Sequence, residues 1–423
     1  MKRRSVIKAA VATTGVLAAG MPRRGAAQAK AMPGITDTEI LIGQTMPYSG
    51  PASSYGTIGR SEAAVFAMIN EAGGINGRKI RFISIDDGYN SSKTVEQIRR
   101  LVEQDNVAAI FQMLGTPSVN ATRRYLNNAK VPQIFVATGA TQFGDHEHYP
   151  WTMGWQPTYQ IEGHVYARYV LDHHKGEKTA VLYQNDDSGK DYLKGFKDGL
   201  GEANSKMLVA TASFEVTDPT VDSQILSLRQ SGATVLFATG VPKIAAMAIR
   251  KTYDIGWLPV YIMASVGSSV ASGLAPAGLE KAVGHITSAY IKDPTDPQWA
   301  NDPDFKAWFA WLKKYYPEGD VGDLNNAYGY ACALTMVQVL KQCGADLSRE
   351  NIMRQAVNLD FVAPMLQPGI RIKTGPADFY PIKQLRLVRF DGRAWVPFGE
   401  VISGLSRDHP ARRCCSKFRG YLT

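Results

Sequence analysis

Cysteine is scarce in this chain, with four in 423 residues, and their placement argues against a disulfide framework. Cys332 and Cys343 lie on one predicted helix, so about 16 Å separates them at 1.5 Å per residue, too far for a disulfide. Cys414 and Cys415 are adjacent in a basic tail. A small fold held together by disulfides is therefore excluded, and we expect Cys332 to be a core residue.

Excess positive charge is also absent from most of the chain. The formal net charge is +9, but residues 1–29 and 404–423 carry most of it. The remaining residues, 30–403, hold 36 Lys and Arg against 37 Asp and Glu. No basic face is left to bind nucleic acid, and no stretch alternates aromatic and basic residues as a nucleic-acid groove would.

Long hydrophobic runs are lacking too. The longest near the start, Ala9–Ala19, is too short to span a bilayer. It follows the basic segment Arg3–Lys8 and precedes the small-residue site Ala27-Gln28-Ala29, a pattern typical of an export signal. We expect residues 1–29 to be removed, by either twin-arginine or Sec export, leaving a periplasmic protein. Residues 404–423 are predicted to be a disordered extension.

Motifs for catalysis are fragmentary. No GxGxxG opens the first helix, and Ser188-Gly189-Lys190 lacks the glycines of a phosphate-binding loop. The histidines lack further ligands at metal spacing, and Asp86-Asp87 is more typical of capping than of a metal site. We therefore predict no enzyme activity, no metal and no cofactor. An exported α/β enzyme and a ligand-sensing receptor domain remain alternatives.

Strands and helices alternate along most of the chain. Residues 39–141 alternate without a break, the aromatic segment HEHYPWTMGWQPTYQ interrupts the pattern, and a second alternation begins at Ile161. Because alternation of this kind favours parallel strands with helices on both faces, the pattern predicts α/β architecture with two doubly wound parallel sheets.

The segment Ile110–Thr141 points to a binding cleft. Two predicted strands there each end at small hydroxyl residues, first at Gly115, Thr116 and Ser118, then at Ala137, Thr138 and Thr141. Ligands of open α/β sheets lie beyond the carboxyl ends of strands, and a helix beginning at Thr116–Pro117 favours an anion such as a carboxylate. The alternative is that these hydroxyls only cap their own helix.

Five segments together resemble the type I periplasmic binding proteins of ABC importers, specifically the branched-chain amino acid (Leu/Ile/Val) binding family. The resemblance covers about Glu39 to Glu400, and its segments are MPYSGPASSYGTIG, INEAGGINGRKI, GTPSVNAT, VPQIFVATGAT and YQNDDSGKDYLKGFKDGL. It implies two lobes joined by three crossovers, a ligand between them, no catalysis, and a monomer that delivers to an ABC permease in the inner membrane. We place lobe 1 at 30–157 plus 284–365, and lobe 2 at 158–283 plus 366–403.

Site residues follow from the same resemblance. The loop that binds the ligand carboxylate in the family falls on Leu114–Ser118 here, a second loop on Ala137–Thr141, and a tyrosine above the ligand on Tyr55. We expect Tyr328 to contact the body of the ligand as well.

The second lobe departs from the amino-acid binders. Their aromatic positions fall here at Ser188 and Val241, and the acidic residue that pairs with the ligand ammonium falls at Ser265. The positions of a family disulfide are Tyr89 and Gly115. An unpaired buried ammonium costs several kcal/mol, so we expect a non-amino organic acid, with its carboxylate on Thr116, Ser118 and Thr138.

Overall fold

A computed structural model describes residues 32–403. The predicted export signal and the tail from residue 404 lie outside the described residues.

The strands follow the predicted alternation. They are β1 Glu39–Met46, β2 Lys79–Asp86, β3 Ala109–Phe111, β4 Gln133–Val136, β5 Thr152–Gly154, β6 Thr179–Gln184, β7 Leu208–Phe214, β8 Val235–Ala238, β9 Val260–Met263, β10 Ile286–Ala289, β11 Asp360–Phe361, β12 Ile372–Lys373, β13 Gln384–Phe390, β14 Trp395–Pro397 and β15 Ile402–Ser403.

The α-helices lie between these strands. They are α1 Gly56–Glu71, α2 Ser91–Glu103, α3 Thr116–Asn128, α4 Tyr159–His173, α5 Asp187–Leu200, α6 Asp222–Gln230, α7 Pro242–Asp254, α8 Pro303–Tyr315, α9 Leu324–Cys343 and α10 Arg349–Ala356.

The first sheet is parallel throughout, in the order β2-β1-β3-β4-β5. Its central strands β3 and β4 are buried along their whole length, as expected for a parallel sheet covered on both faces. Helix α3, which follows β3, presents one buried stripe that includes Val119, Thr122 and Leu126. The predicted architecture of the first half is confirmed.

The second sheet is parallel from β7 through β6, β8 and β9 to β10, and antiparallel beyond. Strand β13 pairs antiparallel with β10, β14 and β15. The α/β fold class is confirmed, with an antiparallel end that the sequence pattern did not indicate. Strand β10 pairs with β9 in this sheet, whereas the predicted boundary at 284 assigns β10 to lobe 1; the lobe boundaries stay a prediction.

Three connections run between the sheets. The first joins β5 to α4, the second follows β10, and the third lies between β11 and β12. The second and third run side by side, since Lys292 donates its N–H to the carbonyl of Met365 and Gln367 donates to that of Tyr290, both at 2.8 Å. The second connection thus lies at about residue 291.

Helix α9 returns to the first sheet and packs against α1. It is buried along much of its length, and both Cys332 and Cys343 lie on it as free, buried thiols. Its packing brings Tyr328 to the junction of the two sheets. There the Trp155 ring meets the Tyr328 ring edge-on, with centroids 5.0 Å apart.

Among residues 32–403, no helix combines the length and apolar character needed to cross a membrane.

Candidate functional site

A cavity lies where the carboxyl ends of the strands of the two sheets face each other. The first sheet contributes residues just after β3 and β4, and the second sheet contributes residues just after β6, β8, β9 and β10. The centre of a water molecule can reach about 100 Å³ of it, which is room for several water-sized groups. The cavity therefore occupies the position at which open α/β sheets bind small ligands.

Most of the residues predicted for the site line this cavity. They are Tyr55, Leu114, Gly115, Thr116, Ala137, Ser188, Val241, Ser265 and Tyr328. Ser118, Thr138 and Thr141 lie outside the lining, which differs from the prediction. Each of these three hydroxyls is bonded to another protein group instead.

Thr116 is the hydroxyl that reaches the cavity. Gly115 is the N-cap of α3, and no side chain caps this helix, so the Thr116 hydroxyl does not cap its own helix as the alternative interpretation required. Thr116 Oγ1 lies 2.6 Å from Thr138 Oγ1, and Thr138 Oγ1 also accepts the N–H of Ala140 at 3.1 Å. Thr138 thus holds Thr116 in place from behind the cavity wall.

Ser118 points away from the cavity into the packing between α3 and α2. Its hydroxyl lies 3.0 Å from that of Thr94, which also donates to the buried carboxylate of Asp87 at 2.8 Å. The Ser118 hydroxyl is therefore used to join two helices, and the predicted contact of Ser118 with a ligand carboxylate is not supported.

Gly115 and Tyr89 are in direct contact. Gly115 has a positive φ of 100°, and a Cβ added to it would lie 2.6 Å from the Tyr89 ring. These are the two positions at which the resemblance places a disulfide in amino-acid binders. The tyrosine ring fills that space here and lines the cavity.

Thr141 joins the two sheets. Its N–H and its hydroxyl both donate to Asp191 on α5, each at 2.8 Å. Asn120 on α3 donates to Asp187 at 2.7 Å. We name this group of bonds the α5 latch. These bonds hold α3 and the loop after β4, both from the first sheet, against helix α5 of the second sheet.

Tyr55 makes a further bond across the cavity. Its hydroxyl donates to the carbonyl of Val266, after β9, at 2.8 Å, and the side chain is buried. Burial, together with neighbouring tyrosines, raises the pKa of Tyr55 well above its ordinary value. Tyr55, which was predicted to lie above a ligand, is thus uncharged and joins the two sheets by a hydrogen bond.

Glu162 was missed by the sequence reasoning, although it is bonded to a predicted position. Its carboxylate, from the first turn of α4, accepts the N–H of Ser265 at 2.7 Å and the Ser265 hydroxyl at 2.8 Å. The Tyr166 and Tyr192 hydroxyls also donate to it. Burial raises the pKa of Glu162, against the lowering effect of these bonds.

Basic side chains are absent from the cavity lining: within residues 32–403, no Lys, Arg or His is among the lining residues. One carboxylate, Asp293, is present, but it accepts bonds from Trp395 N at 2.9 Å and from Thr295 N and Oγ1 at 3.0 and 2.8 Å. Burial raises the pKa of Asp293. Hydrogen bonds and aromatic surface therefore dominate this site, not ion pairing.

Aromatic rings that the sequence reasoning did not assign to the site form much of the lining. Tyr159 and Tyr192 stack with centroids 4.2 Å apart, and burial raises the pKa of Tyr159 to about 12. Tyr290 lines the cavity beside them. Trp155 lies behind the wall, where it contacts Tyr290 and Tyr328 edge-on and donates to Thr335 at 3.1 Å. It therefore packs the crossover between β5 and α4.

The part of the chain from 32 to 403 contains no cluster of three or more His, Cys, Asp or Glu arranged to hold a metal ion.

Comparison with known proteins agrees with this architecture. The family described as "Periplasmic binding protein" matches residues 39–394. Leu/Ile/Val-binding protein homolog 1 of Brucella abortus (strain 2308) is 25% identical over 315 residues, which cover 74% of this chain and 81% of that protein.

Two solved structures share the fold. A branched-chain amino acid ABC transporter protein from Thermus thermophilus with bound valine superposes with a TM-score of 0.78 at 15% identity, covering 87% of this chain and 97% of that one. A solute-binding protein from Rhodopseudomonas palustris BisB5 in complex with 3,4-dihydroxybenzoic acid gives 0.73 at 16% identity, covering 88% and 99%. With the family match spanning most of its length, this chain belongs to the periplasmic binding protein family.

Proposed function

We propose that this protein captures a small carboxylate-bearing ligand between two closing lobes and delivers it to the permease of an ABC importer in the inner membrane. The ligand is a non-amino organic acid in preference to a branched-chain amino acid. The protein acts in the periplasm as a monomer, without catalysis, after export by its N-terminal signal.

The cavity between the two sheets carries this proposal. The bond from Tyr55 to Val266 crosses it, and the bonds from Thr141 to Asp191 join the two sheets outside its lining. A ligand bound there would contact both sheets at once and favour their closed arrangement. Because family membership is established independently, ligand capture is the function that best explains a cavity at this place.

The carboxylate is best received on the first-sheet side. Thr116 lines the cavity at the first turn of α3, and the free N–H groups of a helix N-terminus favour an anion. No basic residue competes for this role among the described residues of the lining. Thr138 supports the site through Thr116 and not by touching the ligand.

The side chains on the second-sheet side favour a non-amino acid. Ser188, Val241 and Ser265 line the cavity at the positions where amino-acid binders carry aromatic and acidic residues. These smaller neutral side chains leave more room and place no carboxylate at these three positions. Since proteins of this fold have been solved with valine and with a dihydroxybenzoic acid, both classes belong in the test.

A thermal-shift screen tests the proposal. The panel contains branched-chain amino acids, aliphatic acids, hydroxy acids and hydroxybenzoates, and a ligand at 100 times its Kd should add about 2.7 kcal/mol of stability. We expect at least one organic acid to raise the melting temperature and leucine and valine to leave it unchanged. A response to the amino acids alone would overturn the ligand class, and no response to any carboxylate would count against the function.

A further inference from the structure

The hydroxyl groups around Ser265 have their hydrogens already committed to protein acceptors. We name as the Ser265 cluster the cavity-lining residues Tyr192, Ser265, Ser268 and Thr287. Ser265 Oγ donates to Glu162 at 2.8 Å, and Tyr192 Oη donates to the same carboxylate at 3.3 Å. Ser268 Oγ donates to the carbonyl of Ser265 at 2.7 Å, and Thr287 Oγ1 to that of Met263 at 2.8 Å.

A hydroxyl has one hydrogen and two lone pairs. Once the hydrogen is donated to a carboxylate or a carbonyl, the oxygen can only accept a further bond. The Ser265 cluster therefore presents lone pairs to the cavity. Glu162 sets this polarity, because its carboxylate accepts four hydrogen bonds and has no hydrogen of its own to donate to these hydroxyls.

A ligand group that only accepts hydrogen bonds would meet lone pairs there and lose its bonds to water, at a cost of roughly 1–3 kcal/mol. The cost would be larger for an anionic group facing this cluster, since no Lys, Arg or His lines the cavity within residues 32–403. A group with a hydrogen to donate is the kind that matches this surface.

We infer that the ligand carries a hydrogen-bond donor where it faces Ser265 and Tyr192, and in the non-amino acid of the proposed function this donor is a hydroxyl. This inference rests on the proposed function and deepens it. The ligand has two unlike ends, with an acceptor group at Thr116 and a donor group at the Ser265 cluster. Glu162 is a positioning residue that enforces this orientation without touching the ligand.

Calorimetry with matched probes tests the inference. One series is 4-hydroxybenzoate, benzoate, 4-methoxybenzoate and terephthalate; the other is leucine, 2-hydroxy-4-methylpentanoate and 4-methylpentanoate. We expect a donor-bearing member of one series to bind at least tenfold more tightly than its relative without a donor, which is about 1.4 kcal/mol. Terephthalate should not bind. The leucine series separates an ammonium from a hydroxyl.

Two variants address the role of Glu162. Glu162→Gln keeps the shape but replaces one oxygen with an NH₂ group, which donates to Ser265 Oγ and frees the Ser265 hydrogen for the cavity. The preference for a donor over an acceptor should shrink or reverse. Ser265→Ala removes the hydroxyl and should abolish most of the preference for donor-bearing probes. This variant provides the test if Glu162→Gln folds poorly.

Glu62→Gln is the matched control. Glu62 is also fully buried and bonded to one amide, Gln44 Nε2 at 2.6 Å, but it does not line the cavity. Its substitution should leave the ratio between probes unchanged.

The outcomes separate the two proposals. If probes without donors bind as tightly as those with donors, or if Glu162→Gln and Ser265→Ala both leave the ratio unchanged, the inference is overturned and the proposed function stands. If no probe of either series binds, the proposed function is contradicted, and the inference with it.

Discussion

Thr116 shows how one hydroxyl is singled out from a cluster of candidates. The sequence placed Thr116, Ser118 and Thr138 together at the ends of two strands, and all three are buried. Only Thr116 reaches the cavity, because Thr138 bonds to it from behind and Ser118 bonds to Thr94 on α2. Position along the chain indicates which strand end a residue occupies, but the direction of its side chain depends on packing between helices.

Replacing Thr116 should therefore weaken ligand binding more than replacing its neighbour. We expect Thr116→Val to raise Kd by an amount equivalent to roughly 1–3 kcal/mol, because a ligand acceptor group loses a hydrogen bond. Ser118→Ala, which removes the bond to Thr94, should lower the melting temperature without changing Kd. Calorimetry with a ligand from the screen measures both; equal loss of affinity in the two variants would contradict the assignment.

Glu162 marks the limit of prediction at this scale. The sequence reasoning looked for an acidic residue at the position of Ser265 and found none. The structure brings a carboxylate to Ser265 from α4, 103 residues earlier in the chain. No local pattern distinguishes Glu162 from any other acidic residue in the first turn of a helix, so only the packing of α4 beneath β9 reveals it.

At the scale of elements, the positions of strands and helices were largely predictable because alternating apolar segments fix them locally. The strand with which each strand pairs was not predictable in this way. The pairing of β10 with β9 and β13 depends on contacts that bring Ile286 against Ile262 and Arg389. Short strands carry too few residues to indicate a partner, so the predicted lobe boundaries could not take this pairing into account.

The α5 latch makes a prediction at this scale. Asp191→Ala removes the acceptor of both Thr141 bonds, so the closed arrangement should lose stability relative to the open one. Ligand should dissociate several-fold faster, as measured by stopped-flow fluorescence, while the association rate changes little.

Asp198→Ala provides the control for the latch, because Asp198 lies on the same helix and forms an ion pair with the exposed Lys194, away from Thr141. Its dissociation rate should match that of the unmodified protein. Equal rates for the two variants and the unmodified protein would show that the latch does not stabilise the closed form.

The stability of the fold should depend on pH through Asp86, which ends β2 and accepts a hydrogen bond from Ser49 in the loop after β1. Burial alone would raise the pKa of Asp86, but bonds from Ser49 and from the N–H of Gly88 outweigh it and hold the pKa to about 2. Because the ordinary value is about 3.9, Asp86 stabilises the fold above pH 4, and this contribution is lost as pH falls towards 2.

Asp86→Asn should remove this dependence. Since the Asp86 side chain is 34% exposed, we expect a loss of about 1 kcal/mol at pH 7, after allowing for solvent screening. Urea unfolding at pH 7 and pH 3 measures it. The difference between variant and unmodified protein should shrink at the lower pH, and a difference that stays constant would contradict the assigned role.

For the whole molecule, the account requires two lobes that move about the three connections. The second and third connections lie side by side, joined by the hydrogen bond from the N–H of Gln367 to the carbonyl of Tyr290. The first connection begins beside the buried ring of Trp155. Such a bundle of short segments can bend while each sheet stays rigid. The interruption of alternation at residues 146–160 was the sequence signal for the first of these connections.

Small-angle X-ray scattering, with and without a saturating ligand from the thermal-shift screen, tests the central claim most directly. If the ligand is captured between two lobes that close over it, the radius of gyration should fall on binding, and it should fall less completely at the same subsaturating ligand concentration in Asp191→Ala. An unchanged radius of gyration at saturation would contradict closure and with it the proposed mode of capture.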